Sequence, residues 1–417
     1  MLGQYETRIS KGNLSQILHR NMTPAEMIQF LEKGAVYRSF LDVLRAVYPQ
    51  SDLADRLLAG LMDIAGDCEK KEADALRKNV SNWLKGNSMP QNREQLFKIC
   101  FALGLSEAAA NKVLSSAAET GIHYRNPREL VYAFALRTGM TYQAAAALDR
   151  ELSAVYGPAV EQAEARRAEQ WKGKQSRAGQ ESGAGETGDE EPHFFTQQVL
   201  RRFETVTTAE ELRLFFAEHS ADLGTIHESA YEKFRKLLSV LQEPEDMVLS
   251  QSGGGESYSL DRIAEEYFRM NVPQGRATKQ YGYLQKTMKK NWPGATELNK
   301  MKNRKIDVSR KALLLLFLIT EDFLFSEDLQ YSDKDSEDAA WYIPEEDESP
   351  RDRLEVVLSK INLFLEIYGM NQLDPGNPFD CLFLYALAAA YDDAFLSDAF
   401  SAALKALFPT GEEASAD

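Results

Sequence analysis

Cysteine is scarce: Cys68, Cys100 and Cys381 are the only three in 417 residues, and they stand far apart. A set so sparse excludes a disulfide framework and suits a reducing compartment. Histidine is scarce too. His19, His123, His193, His219 and His227 show no His-x-x-x-His spacing and have no cysteine pair nearby, so no metal site is expected. Long apolar runs are missing, since the longest, Ala312 to Ile319, is far too short to span a bilayer. The start, MLGQYETRIS, lacks a basic stretch leading into an apolar one, so no signal peptide is expected. Gly253 to Gly255 lack the Gly-Lys-Ser/Thr ending of a phosphate-cradling loop. Asp380, Asp392 and Asp393 have no basic partner at helical spacing and read as capping and surface residues. The sequence therefore predicts a cytoplasmic protein with no catalytic residues, no cofactor and no membrane contact.

An excess of positive charge is also missing. Lysine and arginine number 48 against 64 acidic residues, a net charge of −16, which argues against a general polyanion binder. Runs of alternating Val, Ile and Thr with hairpin turns are absent as well. Apolar residues instead recur at helical spacing, as in Phe40, Val43, Leu44 and Val47, or Leu96, Ile99, Cys100 and Leu103. Val131, Phe134 and Ala135 continue the pattern, as do Ile361, Phe364, Leu365 and Tyr368. The expected fold class is all-α.

Composition divides the chain. Residues 161–192 are rich in Gly, Glu, Gln and Ser and read as a flexible linker. On this reading residues 1–160 form a helical domain and 193–250 a helical segment. A basic helical segment follows over 256–320, then an acidic insertion over 321–350 and C-terminal helices over 351–410. The insertion carries twelve acidic residues and one lysine between Glu321 and Glu348, a net charge of −11.

The two halves echo each other. Shifting the numbering by 217 pairs Asn82 with Asn299, Lys85 with Lys302, Arg93 with Arg310 and Leu96 with Leu313. Shifting it by 251 pairs Asn111 with Asn362, Leu114 with Leu365 and Asn126-Pro127 with Asn377-Pro378. The same shift pairs Ala135-Leu136 with Ala386-Leu387, and the two shifts differ by 34, about the length of the acidic insertion. Two copies of one helical module fit this pattern. Each Asn-Pro pair is expected to open a buried helix, because Asn caps exposed amides and proline is tolerated at the first helical position.

The most specific stretch is Asn79 to Leu105, NVSNWLKGNSMPQNREQLFKICFALGL. Trp83 suits a core anchor, Gly86 a left-handed helix end, and Pro90 the start of a new turn. With Ser81 and Ala102-Leu103-Gly104, these residues make the segment from Tyr37 to Leu105 resemble the lambda-repressor/Cro-like helix-turn-helix family. The remainder, through its Asn-Pro helix starts and LLLLFL stretch, is similar to uncharacterised helix-turn-helix proteins of Gram-positive anaerobes. The resemblance implies a double-stranded DNA partner, with Lys78, Asn79 and Asn82 facing base edges, Lys85, Asn87 and Arg93 near phosphates, and Ser81 of the motif also among the DNA-binding residues. Upstream the spacing is longer than the family pattern, and Glu69, Glu72 and Asp74 stand where a groove-facing helix avoids carboxylates.

The second half has the opposite electrostatic character. Gly275 to Lys311 holds eleven basic residues against Glu297 and Asp307, a net charge of +9, with Tyr281, Tyr283 and Trp292 interleaved. Lys300, Lys302, Arg304, Lys305 and Arg310 are the expected phosphate contacts here. The neighbouring acidic insertion could cover this face. The leading expectation is a DNA-binding transcriptional regulator whose C-terminal helices sense or assemble, a homodimer being one form of assembly. The alternative is an interaction adaptor that has lost DNA contact and meets a protein partner.

Overall fold

The computed structural model describes residues 8–90, 92–117, 120–178, 199–242, 258–274, 281–320, 350–389 and 396–409. Their regular structure is helical, with no strand among the described residues. They form two compact units. The first is Ser39–Ser229, and the second combines Met1–Arg38 with Ala230–Asp417.

In the first unit, α3 (Phe40–Val47) opens with a capping box in which Ser39 accepts from the Asp42 amide and the Asp42 carboxylate accepts from Ser39 N. Its Phe40, Val43 and Leu44 are buried, as are Leu53, Leu57 and Leu61 of α4 (Leu53–Ala65). Gly66 ends α4 at φ +66°, and α5 (Lys70–Leu84) follows closely. Trp83 is 5% exposed on α5. Gly86 closes this helix at φ +73°, a conformation that costs a residue with Cβ far more than glycine. Helix α6 (Arg93–Ala102) lies tight against α4, for a Cβ on Gly60 would stand 2.5 Å from the Ala102 carbonyl oxygen. Asn92 caps it, so the helix begins at Arg93, just beyond Pro90.

Helix α7 (Glu107–Ala117) leads into α8 (Pro127–Arg137), whose residues Leu130 to Leu136 are all buried. Asn126 caps α8 as expected, accepting from the Arg128 and Glu129 amides. Helix α9 (Tyr142–Ala178) runs through the first half of the stretch read as a linker. Ala163 is buried, the Glu164 carboxylate accepts from Thr225 N at 2.7 Å, and Arg167 donates to the Leu223 carbonyl at 3.1 Å. Polar anchors to backbone therefore hold a segment too poor in apolar residues to be recognised as packed. Residues 179–192 of that linker lie outside the described residues. Helical residues 199–204 and α10 (Ala209–His219) complete the unit.

The second unit begins with α1 (Arg8–His19) and α2 (Pro24–Gln29), which pack on helices from the far end of the chain. Asn13, 4% exposed, donates through Nδ2 to the Val36 carbonyl at 2.8 Å and the Pro375 carbonyl at 2.7 Å. The division expected from composition thus shifts: residues 1–38 join the second unit, and 193–229 join the first. The unit continues with α11 (Glu228–Gln242), α12 (Leu260–Ile263), α13 (Tyr283–Lys289) and α14 (Ala295–Lys302). Then come α15 (Arg310–Thr320), α16 (Pro350–Ile367), α17 (Pro378–Ala389) and α18 (Leu396–Leu407). Residues 310–318 of α15 and 378–387 of α17 are buried without a break, so both helices run through the middle of the core.

Candidate nucleic-acid interface

Each unit carries two helices joined by a short turn and followed by a buried third helix. In the first unit these are α4 and α5, with α6 behind them; α5 has 15 residues and rises about 22 Å. Its buried side is Val80 and Trp83, with Leu76 half-buried. Its exposed side mixes Lys70, Lys71 and Lys78 with Glu72 and Asp74. Arg77 is engaged by Asp74 at 2.9 Å.

In the second unit the pair is α13 and α14, separated by residues 290–294. Three contacts pin this turn. Lys311, 8% exposed, donates to the Lys290 carbonyl at 2.7 Å and the Met288 carbonyl at 3.2 Å, capping the end of α13. Trp292 Nε1 donates to the Phe268 carbonyl at 2.7 Å, and Asn291 adopts φ +54°. Helix α14 has 8 residues, about 12 Å, with Leu298 and Met301 buried. Thr296, Asn299 and Lys300 face outward.

The expected DNA-facing residues fall into two sets. Lys78, Asn79, Lys85 and Asn87 are exposed, Ser81 and Asn82 half-buried, and Lys300 and Lys305 exposed. Lys302 is half-buried, and burial together with the nearby charge of Arg235 lowers its pKa. The remaining arginines have internal roles. Arg93 forks onto Glu129, with Nε to Oε1 at 2.7 Å and Nη2 to Oε2 at 2.6 Å, and its Nη1 reaches the Thr120 carbonyl at 3.1 Å. Arg310, 6% exposed, forks onto Asp380 at 2.8 and 2.9 Å and donates to the Asn371 and Gln372 carbonyls. Asp380, read as a surface or capping carboxylate, is 2% exposed and is the core partner of that arginine. The Arg304 guanidinium lies 4.7 Å from the centre of the Tyr231 ring, whose hydroxyl donates to the Lys302 carbonyl at 2.8 Å.

The rest of the basic stretch divides similarly. Lys286 and Lys290 are exposed, whereas Lys289 donates to the Pro273 and Gln274 carbonyls. Trp292, half-buried, packs beside Phe379 and Phe400, so its ring is engaged internally rather than presented as a stacking platform for bases. Arg276, Lys279, Gly253 to Gly255, Asp392, Asp393 and the acidic insertion lie outside the described residues. Sequence reading missed Arg235 and the exposed Lys236 of α11. Their helix lies well before α14 in the chain, and only the fold brings Arg235 beside Lys302.

Two polar features of the first unit, one buried and one at a partly open rim, had no signal in the sequence. His123 stacks on His227 with centroids 3.6 Å apart, and burial holds the His123 pKa well below its ordinary value, so that ring is neutral. Glu94 accepts from the hydroxyls of Tyr142 at 2.5 Å and Tyr132 at 3.1 Å, with Arg128 at 3.2 Å. Burial is the first cause raising the Tyr132 and Tyr142 pKa values, so both hydroxyls remain donors. No helix among the described residues is long and apolar enough to cross a membrane.

Compared with known proteins, the chain matches no protein-family model, and no curated protein and no solved structure matches it.

Proposed function

We propose that the protein is a non-enzymatic, DNA-binding regulator that meets double-stranded DNA through α13 and α14 of its second unit. The observation that carries this reading is the outer surface of that pair. Thr296 and the Asn299 Nδ2 group offer hydrogen bonds, the Asn299 Oδ1 accepting from Asn303, and Lys286, Lys290, Lys300 and Lys305 are exposed cations around them. Glu297, half-buried, is the one carboxylate on α14. A helix that is short, polar outside and pinned behind a rigid turn suits a groove, while flanking lysines suit phosphates. The Cys68, Cys100 and Cys381 thiols, all unpaired, accord with a cytoplasmic setting.

A second reading holds for the first unit. The outer surface of α5 alternates cations with Glu72 and Asp74, and Arg77 is already engaged. Such a surface is poorly suited to a polyanion and better suited to a protein partner. The adaptor function therefore belongs to α5 and DNA contact to α14.

Anisotropy titrations of the full-length chain with random-sequence duplex DNA, across a salt series, test the proposal. Replacing Lys286, Lys290, Lys300 and Lys305 with alanine should flatten the log–log salt slope by about 3.6 units, roughly 0.9 per lost contact. Replacing Lys70, Lys71 and Lys78 should leave the slope unchanged. If the first replacement does not move the slope, α14 is not the DNA-facing helix.

A further inference from the structure

Two hydrogen-bond networks, one in each unit, coincide residue for residue. Arg93 reaches Thr120, Gly121 and Glu129, and Arg310 reaches Asn371, Gln372 and Asp380. The arginines are displaced by 217 in the numbering, and each of their three partners by 251. Asn111 Oδ1 accepts from Ile122 N at 2.7 Å, and Asn362 Oδ1 from Leu373 N at 2.8 Å, again displaced by 251. The amides of His123 and Asp374 donate at 2.8 Å to Glu129 and Asp380, at the same displacement.

The helix ends before these networks correspond as well, at an offset of 218. Gly86 and Arg304 share a positive φ, and their amides donate to the Trp83 and Met301 carbonyls. The sequence pairings of Asn82 with Asn299 and Lys85 with Lys302 are thus one residue out of structural register. The turn before α15 is one residue shorter than the turn before α6.

The correspondence extends to a helical hairpin in each unit. Thr23 and Glu26 form a capping box at the start of α2, and Thr208 and Glu211 form one at the start of α10, at an offset of 185. Buried Met27, Phe30 and Leu31 correspond at that offset to Leu212, Phe215 and Phe216. Helix α2 packs on α18, and α10 packs on α9. Those receiving helices also correspond at 251, through buried Ala145 and Leu396, Leu152 and Ala403, and Tyr156 and Leu407. Yet α2 precedes the first module in sequence and packs in the second unit, while α10 precedes the second module and packs in the first unit.

We infer that the chain consists of two copies of one helical module, each completed by the helical hairpin that precedes the other copy in sequence. The surface of α17 and α18 is accordingly a docking site for a helical hairpin, occupied by residues 8–34 of the same chain. The hairpin is held through Asn13 on the Pro375 carbonyl, and Ile17, Met27 and Leu31 are buried where α1 packs on α17 and α2 on α18. In the first unit Arg137 has the analogous task, donating to the Phe203 and Val206 carbonyls at 2.9 and 3.0 Å. This inference stands independently of the DNA-binding proposal.

Hydrogen exchange on the full-length chain tests it. Leu31→Ala should raise amide exchange in α17 and α18 by about tenfold or more, because it opens space at the docking face. Helices α3 and α4, which follow the hairpin directly, should be unaffected. Phe216→Ala should do the reverse, loosening the start of α9 and sparing α17 and α18. Asn13→Ala keeps the apolar packing of α1 and removes only its hydrogen bonds, so it gives the same pattern in milder form should Leu31→Ala fail to fold. Loosening of α3 and α4 by the Leu31 or Asn13 variant, or no change in α17 and α18, would overturn the exchange of hairpins.

Discussion

On the duplication inferred above, the helices around α8 correspond to those around α17, yet the two sets are joined by opposite chemistry. In the first unit Glu94, Arg128, Tyr132, Asp149 and Tyr156 form a chain of hydrogen bonds and ion pairs. At the same offsets the second unit has Lys311, Phe379, Phe383, Phe400 and Leu407. There Phe379, Phe383 and Phe400 pack edge to face, and the Lys311 ammonium lies 4.9 Å from the centre of the Phe379 ring. One helical arrangement can thus be closed by a polar network at a partly open rim or by an aromatic plug. The polar version tolerates water, as the half-exposed Arg128 shows, while the aromatic version needs it excluded.

The contrast is sharpest at the buried arginines. Arg310→Met strands the Asp380 carboxylate in a site where both side chains are under a tenth exposed, and should cost about 3–5 kcal/mol. The Arg93 side chain is 32% exposed and opens a path for water, and Glu129, itself only 10% exposed, keeps the bond from the His123 amide, so Arg93→Met should cost less, about 1–3 kcal/mol. Denaturant unfolding of each variant measures both. The double variant Arg310→Met, Asp380→Leu should recover part of the loss, because no unpaired charge then remains buried while the Asp374 amide and the Asn371 and Gln372 carbonyls still lose their partners. Equal costs for the two arginines would show that burial does not distinguish them.

Comparable to the loss at Arg310 is that at Trp83, the anchor of the first unit's helix pair. Trp83→Ala should cost about 3–5 kcal/mol by urea denaturation, as for other buried large-to-small aromatic changes. A change within about 0.5 kcal/mol would place the side chain at the surface and remove the common role of Trp83 and Met301.

How far the sequence could be read depended on whether a residue acts locally. Asn126, Gly86 and Trp83 could be assigned because caps, left-handed helix ends and apolar stripes are set by neighbours within a turn or two. The helical class followed from the same short-range periodicity. Arg310 and Asp380 could not be paired, since they stand far apart in the chain and nothing in either neighbourhood marks the side chain as buried. The candidate interface was legible only as a charge count. Which lysines remain outside depends on the carbonyls of Met288, Lys290, Pro273 and Gln274, and backbone groups leave no trace in composition. Composition also leaves no sign that residues 8–34 pack in the second unit, because their partners, Pro375 among them, lie near the other end of the chain.

The smallest effects come from exchanging one hydroxyl between the matching positions Tyr132 and Phe383. Tyr132→Phe removes a hydroxyl that accepts from Arg128 at 2.9 Å and donates to Glu94 at 3.1 Å. Glu94 keeps its bond from Tyr142, and Arg128 keeps its ion pairs, so no partner is left bare. The cost should be about 1 kcal/mol, the net worth of an ordinary hydrogen bond. Phe383→Tyr runs the other way: the site is fully buried, aromatic on one side and packed, so the new oxygen must be accommodated without a prepared partner. Overpacking and desolvation together should cost about 1–3 kcal/mol. Urea denaturation of the two variants side by side decides the matter. If Phe383→Tyr proves the milder change, the aromatic plug has room for a polar group, and the two closures are chemically interchangeable rather than alternative solutions.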